Sequence, residues 1–272
     1  MRDDQLAAFH GRDDQVIAAD PDWPAAHRCL LDALEAGRVR AAVCAADGTW
    51  QAVPWVKRAI LLGFRRTEMV PMPAGDAPPF FDKAAYPPRV LTLADRVRLV
   101  PGGSAVRRGA YVAPGVVVMP PAYVNVGAFV DGGTMVDSHA LVGSCAQVGK
   151  NVHLSAGAQI GGVLEPANAS PVVVEDGAFV GALCGVFEGF VVRERAVLAA
   201  GVVLTRATIV HDLVHGRTWR GEVPAGAVVV PGSRPAAGDW AKSQGLHVTA
   251  PLIVKYRDER TDAATALEAA LR

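Results

Sequence analysis

Residues 105–162 read AVRRGAYVAPGVVVMPPAYVNVGAFVDGGTMVDSHALVGSCAQVGKNVHLSAGAQIGG, and the fold follows from their spacing. Every sixth residue from Val106 is aliphatic: Val112, Val118, Val124, Val130, Val136, Val142, Val148, Leu154 and Ile160. The register resumes at Val174, Val180, Val186, Val192, Leu198 and Leu204. Four residues after most of these stands a small side chain, such as Ala110, Ala122, Ala128, Ala140, Ala146, Ala158, Ala178 and Ala196; Phe190 is the bulky exception. An α-helix needs a period of 3.6 and an ordinary half-buried strand a period of two. A period of six predicts a parallel β-helix, with three hexads per triangular coil, the aliphatic residue and its small partner inside, and successive coils about 4.8 Å apart. The usual crossover preference alone favours a right-handed coil, and periodicity does not give the hand.

Outward from this stretch, the chain is ordinary in composition. It has 272 residues, half hydrophobic and a fifth charged, with 27 Lys plus Arg against 27 Asp plus Glu. That excludes general disorder, and without a basic excess no nucleic-acid partner is expected. Cys29, Cys44, Cys145 and Cys184 have no CxxC spacing and are expected as free buried thiols in a reducing compartment. The polar start MRDDQLAAFHGRDD lacks a signal core, and no apolar run reaches 18 residues. A cytoplasmic protein with no membrane partner is expected.

The chain divides into an N-terminal helical cap (1–100), the coil (101–210) and a C-terminal extension (211–272). Asp22–Pro24 starts a helix running through Leu30, Leu31 and Leu34 to Gly37. Residues 39–53 predict a strand, an Asp47–Gly48 turn and a returning strand. Residues 53–66 predict a helix burying Trp55, Ile60, Leu61 and Phe64, followed by a Pro-rich connection. Between Ile160 and Val174 the spacing is 14 where 12 keeps phase, so GGVLEPANASPVV leaves the coil as a loop; loops on rigid scaffolds often carry function. Past Leu204, EVPAGAVVVPGSRP and HVTAPLIVKYRDER read as strands, and TDAATALEAALR as a short helix capped by Thr261 or Asp262; this tail is expected to cover the open end of the coil.

The run YVNVGAFVDGGTMVDSHALVGSCAQVGKNVHLSAGAQIGGVLEP, with RRGAYVAPGVVVMP before it and GEVPAGAVVVPGS after it, resembles the tetrahydrodipicolinate N-succinyltransferase family of the lysine/diaminopimelate pathway. DGTWQAVPWVKRAILLGFR, FFDK and LIVKYRDERT extend the resemblance to nearly the whole chain. MVDSHALVGSCAQVGKNVHLS is its specific part, since hexapeptide repeats occur in many acyltransferases. The resemblance implies a mainly β, left-handed parallel β-helix with an N-terminal helical or mixed domain and a small C-terminal extension. It also implies a homotrimer with sites between neighbouring prisms, and direct transfer of an acyl group from coenzyme A, such as succinyl-CoA, to an amine, with no metal.

By the same resemblance, the acidic residue of the MVD motif is Asp137 and the substrate-carboxylate arginine is Arg98. CoA contacts fall on Lys255 and Arg260, although Arg260 stands where the family has lysine and Tyr256 replaces a second lysine. Arg257 joins them as a nearby cation, and Gly161 and Gly162 allow the pantetheine arm close to the wall. One departure stands out. The family reads Gly-Ala-Arg-Ser-Glu before Val, whereas this chain reads Gly181-Ala182-Leu183-Cys184-Gly185, so on the substrate side Gly185 occupies the place of the family's second catalytic carboxylate and Leu183 that of its arginine. His139 replaces a tryptophan two residues past Asp137.

Acyl transfer needs a free amine, and an alkylamine has a pKa near 10. A carboxylate or imidazole must take its proton, which makes Asp137 and His139 the catalytic candidates. His153 is as readily structural as catalytic, and Glu188 is read as structural. Cys184 lies in an inward slot, which argues against a nucleophile, and His211 and His215, though at helical spacing, lack a third metal ligand. Three readings remain open: transfer to tetrahydrodipicolinate, transfer to a different small amine-bearing acid, and a non-catalytic CoA-binding scaffold.

Overall fold

Two-residue strands recur every six residues and pair in parallel with the strand one coil further on, eighteen residues away where the coil is uninterrupted, as Val106 with Val124 and Val124 with Val142. The computed structural model describes residues 1–74 and 77–258. The coil has three faces. The first carries Ala105–Val106, Tyr123–Val124, Leu141–Val142, Gln159–Ile160, Gly185–Val186 and Val203–Leu204. The second runs from Tyr111–Val112 through Gln147–Val148 to Glu222–Val223, and the third from Arg98–Leu99 through Met135–Val136 and His153–Leu154 to Val197–Leu198 and Ala227–Val230. The sixth-residue aliphatics and their small partners are buried in one continuous core, as the period requires.

The corner after Val118 turns at Pro120–Pro121; most corners turn instead on the third residue after an inward aliphatic, which adopts a left-handed conformation. Glycine does this without a Cβ penalty, and Gly109, Gly115, Gly127, Gly133 and Gly157 hold the position. His139, Cys145, Asn151, Leu183 and Arg195 adopt it as well, with φ between 53° and 66°.

The excursion is longer than the spacing suggests. Gln159–Ile160 lies on the first face and Val173–Val174 on the very next one, pairing with Gln147–Val148. One face takes six residues, so the 14-residue step contains eight extra residues rather than the two expected. The fully buried Lys57 pins this loop by donating to the carbonyls of Ala169 (2.7 Å) and Pro166 (3.2 Å).

The N-terminal part packs on the corner between the first and second faces. Its helices are α1 (Asp3–His10), α2 (Asp14–Ala19), α3 (Trp23–Glu35) and α4 (Pro54–Arg66), with a strand pair Ala42–Cys44/Trp50–Ala52 between the last two. The predicted helix from Asp22 and the Asp47–Gly48 turn are present; α1 and α2, hidden in a polar start, are additional. The α4 helix is rotated from its expected orientation. Of the four apolar residues assigned to its buried side only Ile60 is fully buried, with Val56, Lys57, Ala59 and Leu62 beside it. Ile60 joins Leu30, Leu31, Val126 and Cys145 in a core that ties these helices to the coil. The Pro-rich connection contains a hairpin, Met69–Ala74 with Ala77–Lys83, because extended backbone accommodates its prolines on an isolated strand pair.

At the other end, Leu252–Tyr256 pairs antiparallel with Ala227–Val230 and parallel with Ile209–Asp212, which in turn pairs with Arg217–Arg220. These strands extend the third face at the upper end of the coil. His211 and His215 lie on a strand and its turn, not on a helix. Asp212, buried, accepts from Tyr256 Oη (2.8 Å) and His215 Nδ1 (2.9 Å). The expected helix at Thr261 or Asp262 lies outside the described residues. All four cysteines are free, but only Cys145 and Cys184 are buried; Cys44 is exposed, on an edge of the small strand pair. Among the described residues no helix is long and apolar enough to cross a membrane.

Candidate active site at the corner between the third and first faces

Asp137 follows inward Val136, so its side chain leaves the coil where the third face turns toward the first. Its Oδ1 accepts from the Ser138 N–H (2.7 Å); among the described residues Oδ2 has no hydrogen-bond donor. His139 is the left-handed residue of the same corner (φ 61°) and is exposed. Its backbone N–H donates to Pro121 O (2.5 Å) and its carbonyl accepts from Gln159 Nε2 (3.1 Å). The turn therefore holds a half-buried carboxylate and an imidazole two residues apart on one rim.

Above Asp137, the same slot of successive coils carries Ser155, Gly181 and Ala199, linked by Asp137 N–H to Leu154 O (2.9 Å), Ser155 N–H to Val180 O (2.9 Å) and Gly181 N–H to Leu198 O (2.8 Å). Three coil steps of about 4.8 Å give a shelf of small side chains roughly 14 Å long. At its upper end opens a cavity of about 360 Å³ lined by Gly201, Val203, Thr208, Gly232, Arg234 and Thr249, beneath the strand pair Ser233–Pro235/His247–Thr249.

The other sequence candidates fall at different distances from this corner. Arg98 is exposed on the third face, in register with Val117 and then Met135, two steps below the strand that carries Asp137. Gly185 is two coils above Leu141 on the first face, with Gly161 and Gly162 following the strand between them. Gly185 is hemmed in, because a Cβ there would run into the ring of Phe187; one on Gly161 would stand 2.7 Å from the same ring. Lys255 pairs with Val228 at the far end of the third face, its Nζ 3.3 Å from Asp258. Arg257 is committed to the opposite corner, donating to Gly177 O (3.0 Å) and Arg195 O (3.3 Å). Arg260 lies outside the described residues.

Glu188 sits at the corner between the first and second faces, where its Oε2 accepts from Arg206 N–H (3.2 Å). Cys184 is inside the coil, donating to Ala199 O (3.0 Å), and burial pushes its thiol pKa up, the reverse of what a nucleophile needs. His153 is buried and stacked on Phe179 (4.9 Å between ring centres). Sequence reasoning overlooked Phe187, although it occupies the slot of Asp137 and Gly161, one residue past an inward aliphatic. It also overlooked Arg234, which only the folding of the tail brings to the shelf.

Known proteins share this architecture. Residues 6–65 match the family model for the tetrahydrodipicolinate N-succinyltransferase N-terminal region, and residues 171–206 the hexapeptide repeat of succinyl-transferase. The 2,3,4,5-tetrahydropyridine-2,6-dicarboxylate N-succinyltransferase of Polynucleobacter asymbioticus is 45% identical over 260 residues, covering 94% of this chain and 92% of its own. The protein of that name from Afipia carboxidovorans is 42% identical over 272 residues, covering 97% and 95%. A Campylobacter jejuni crystal structure, provisionally named a 2,3,4,5-tetrahydropyridine-2-carboxylate N-succinyltransferase, superposes with a TM-score of 0.55 at 18% identity, over 89% of this chain and 64% of that one. That likeness extends to the fold alone, and the coil is the left-handed form rather than the right-handed one that crossover preference favours. On sequence and fold together, the chain belongs to the tetrahydrodipicolinate N-succinyltransferase family of hexapeptide-repeat acyltransferases.

Proposed function

We propose that this protein transfers a succinyl group from succinyl-CoA to the amine of an acceptor derived from tetrahydrodipicolinate. The carrying observation is Asp137, a carboxylate with an uncommitted oxygen at the foot of a shelf of small residues, in a chain 42–45% identical to N-succinyltransferases over nearly its full length. The thioester arm lies along Ser155, Gly181 and Ala199, where nothing larger than a hydroxymethyl obstructs it. Arg234 at the upper end meets the CoA phosphates, and Lys255 joins it by exchanging Asp258 for a phosphate. The acceptor amine, held by Arg98 through a carboxylate, gives its proton to Asp137 and attacks the thioester carbonyl. The C–N bond forms, the tetrahedral intermediate collapses, and the C–S bond breaks with coenzyme A leaving as the thiol. His139, on the same rim, relays the proton. Rigid placement supplies much of the rate.

The active assembly is a homotrimer. Leu183 is 74% exposed and Val203 52% exposed beside the Asp137 corner, and a second copy packed there covers both and closes the site against water.

A second reading keeps donor and chemistry but changes the acceptor. The Phe187 ring against Gly185 favours it, because the substrate-side wall there is apolar where the family resemblance implies a carboxylate. A thiol-release assay with succinyl-CoA and acetyl-CoA against a panel of amines separates the two. Turnover with tetrahydrodipicolinate supports the first reading, turnover only with other amines the second, and no turnover with any pair refutes both.

A further inference from the structure

We propose that the junction between the N-terminal strand pair and the second face of the coil is a separate binding site for a basic amino acid, one carrying a carboxylate and two ammonium groups. A cavity of about 320 Å³ opens there between Arg40 and Trp50 on one side and Asp131, Gln147, Asp176 and Glu194 on the other. That volume suits a small metabolite, at the lower end of the roughly 300–1,000 Å³ typical of ligand pockets.

Arg40 organises the cavity. Its guanidinium lies on the Phe129 ring, 3.7 Å from the centroid, and 5.5 Å from that of Trp50. Its Nε donates to Gln147 Oε1 (2.9 Å), and Gln147, itself buried, is fixed by donating to Cys145 O (2.8 Å). Among the described residues the two Nη atoms have no hydrogen-bond acceptor. The result is an oriented, partly desolvated fork facing a cavity, the geometry that takes a carboxylate through two parallel bonds.

The opposite wall is acidic. Glu175 is already committed, accepting from Trp50 Nε1 (2.8 Å), Arg193 Nη1 (2.9 Å) and Glu194 N–H (3.0 Å). Asp131 accepts the Gly132 N–H (2.7 Å) and Asp176 the Lys150 N–H (2.8 Å), each through Oδ1 alone. Glu194 has no side-chain partner among the described residues. Arg193 is shared between Glu175 (2.9 Å) and Glu222 (2.7 Å), so it leaves no positive charge to spare, and three further carboxylates face one guanidinium. An inorganic phosphate or a dicarboxylate meets net repulsion in this cavity, and a plain diamine leaves the guanidinium without an anion. One carboxylate with two ammonium groups satisfies both walls. The site is distinct from the proposed acceptor site, since Asp131 and Asp137 belong to different corners of one coil with the strand Met135–Val136 between them.

Calorimetric titration of the full-length protein with L-lysine and L-ornithine tests this, with cadaverine, glutarate and inorganic phosphate as comparison ligands. Saturable binding of L-lysine or L-ornithine is expected, with the comparison ligands weaker by about tenfold or more, the loss of one charge-assisted pair. Arg40→Met and Glu194→Gln are expected to weaken it to a similar extent, the second at an exposed position that leaves the fold intact by circular dichroism. Asp137→Asn is expected to bind unchanged. No binding of either amino acid overturns the proposal, as does undiminished binding by folded Arg40→Met, or loss of binding in Asp137→Asn. The readout is binding rather than turnover, so failure here leaves the transferase reading standing.

Discussion

His139 has two claims on its position, and they can be separated. It is a corner residue at φ 61°, where a side chain costs about 1 kcal/mol that glycine avoids, and it is an exposed imidazole beside Asp137. His139→Gly removes the imidazole while relieving the backbone. Thermal unfolding of this variant is predicted to match or exceed wild type while kcat falls about a hundredfold, the lower end of acid–base contributions. An unchanged kcat would leave His139 only its corner role. The place of Asp137 was legible, because the slot after an inward aliphatic points out of a six-residue coil. Phe187 shares that slot, yet a phenylalanine in an apolar repeat reads as core until its ring is seen against Gly185 and Gly161.

Helices α3 and α4 carry buried polar groups that no periodicity announces. His27 stacks on Trp23 (5.2 Å) and meets Tyr86 Oη (3.2 Å), which donates to Ile60 O (2.6 Å). Burial first, with Coulombic help from His10 and Arg108, lowers the His27 pKa to about 3. The unfolded chain binds a proton near pH 6.5 that the folded chain refuses until about pH 3, so the stability of the fold falls as pH drops through that window. His27→Gln is predicted to flatten the pH dependence of chemical denaturation between pH 6.5 and 4; an unchanged slope would contradict the buried neutral imidazole. Lys57 has the same origin, a cation on the apolar side of an amphipathic helix. Lys57→Met strands the carbonyls of Pro166 and Ala169 at about 1–3 kcal/mol each. Limited proteolysis between residues 163 and 171 is predicted to quicken about thirtyfold or more with the coil intact, and an unchanged rate would show that the loop is held by other contacts. The loop's existence was legible in the spacing, but its length was not, because a gap of 14 is compatible with skipping one face or none.

At the scale of the molecule, the period of six fixed the coil, its core and its outward slots, while its hand came from likeness to known proteins. What the period leaves open is everything the tail and the N-terminal helices bring to the wall, Arg234 and Arg40 included, because those contacts join residues far apart in the chain. Sedimentation equilibrium is predicted to give three times the 28.4 kDa chain mass; a monomer would leave Leu183 and Val203 uncovered and the site open to water. The central claim is that Asp137 takes the proton of an amine attacking a thioester on this wall. Steady-state release of coenzyme A from succinyl-CoA, with tetrahydrodipicolinate as acceptor, tests it when wild type and Asp137→Asn are compared. Wild type is predicted to turn over, and the variant to lose kcat by about 10²–10⁴-fold with its trimer and its succinyl-CoA affinity retained. A folded Asp137→Asn trimer releasing coenzyme A at the wild-type rate would contradict the account.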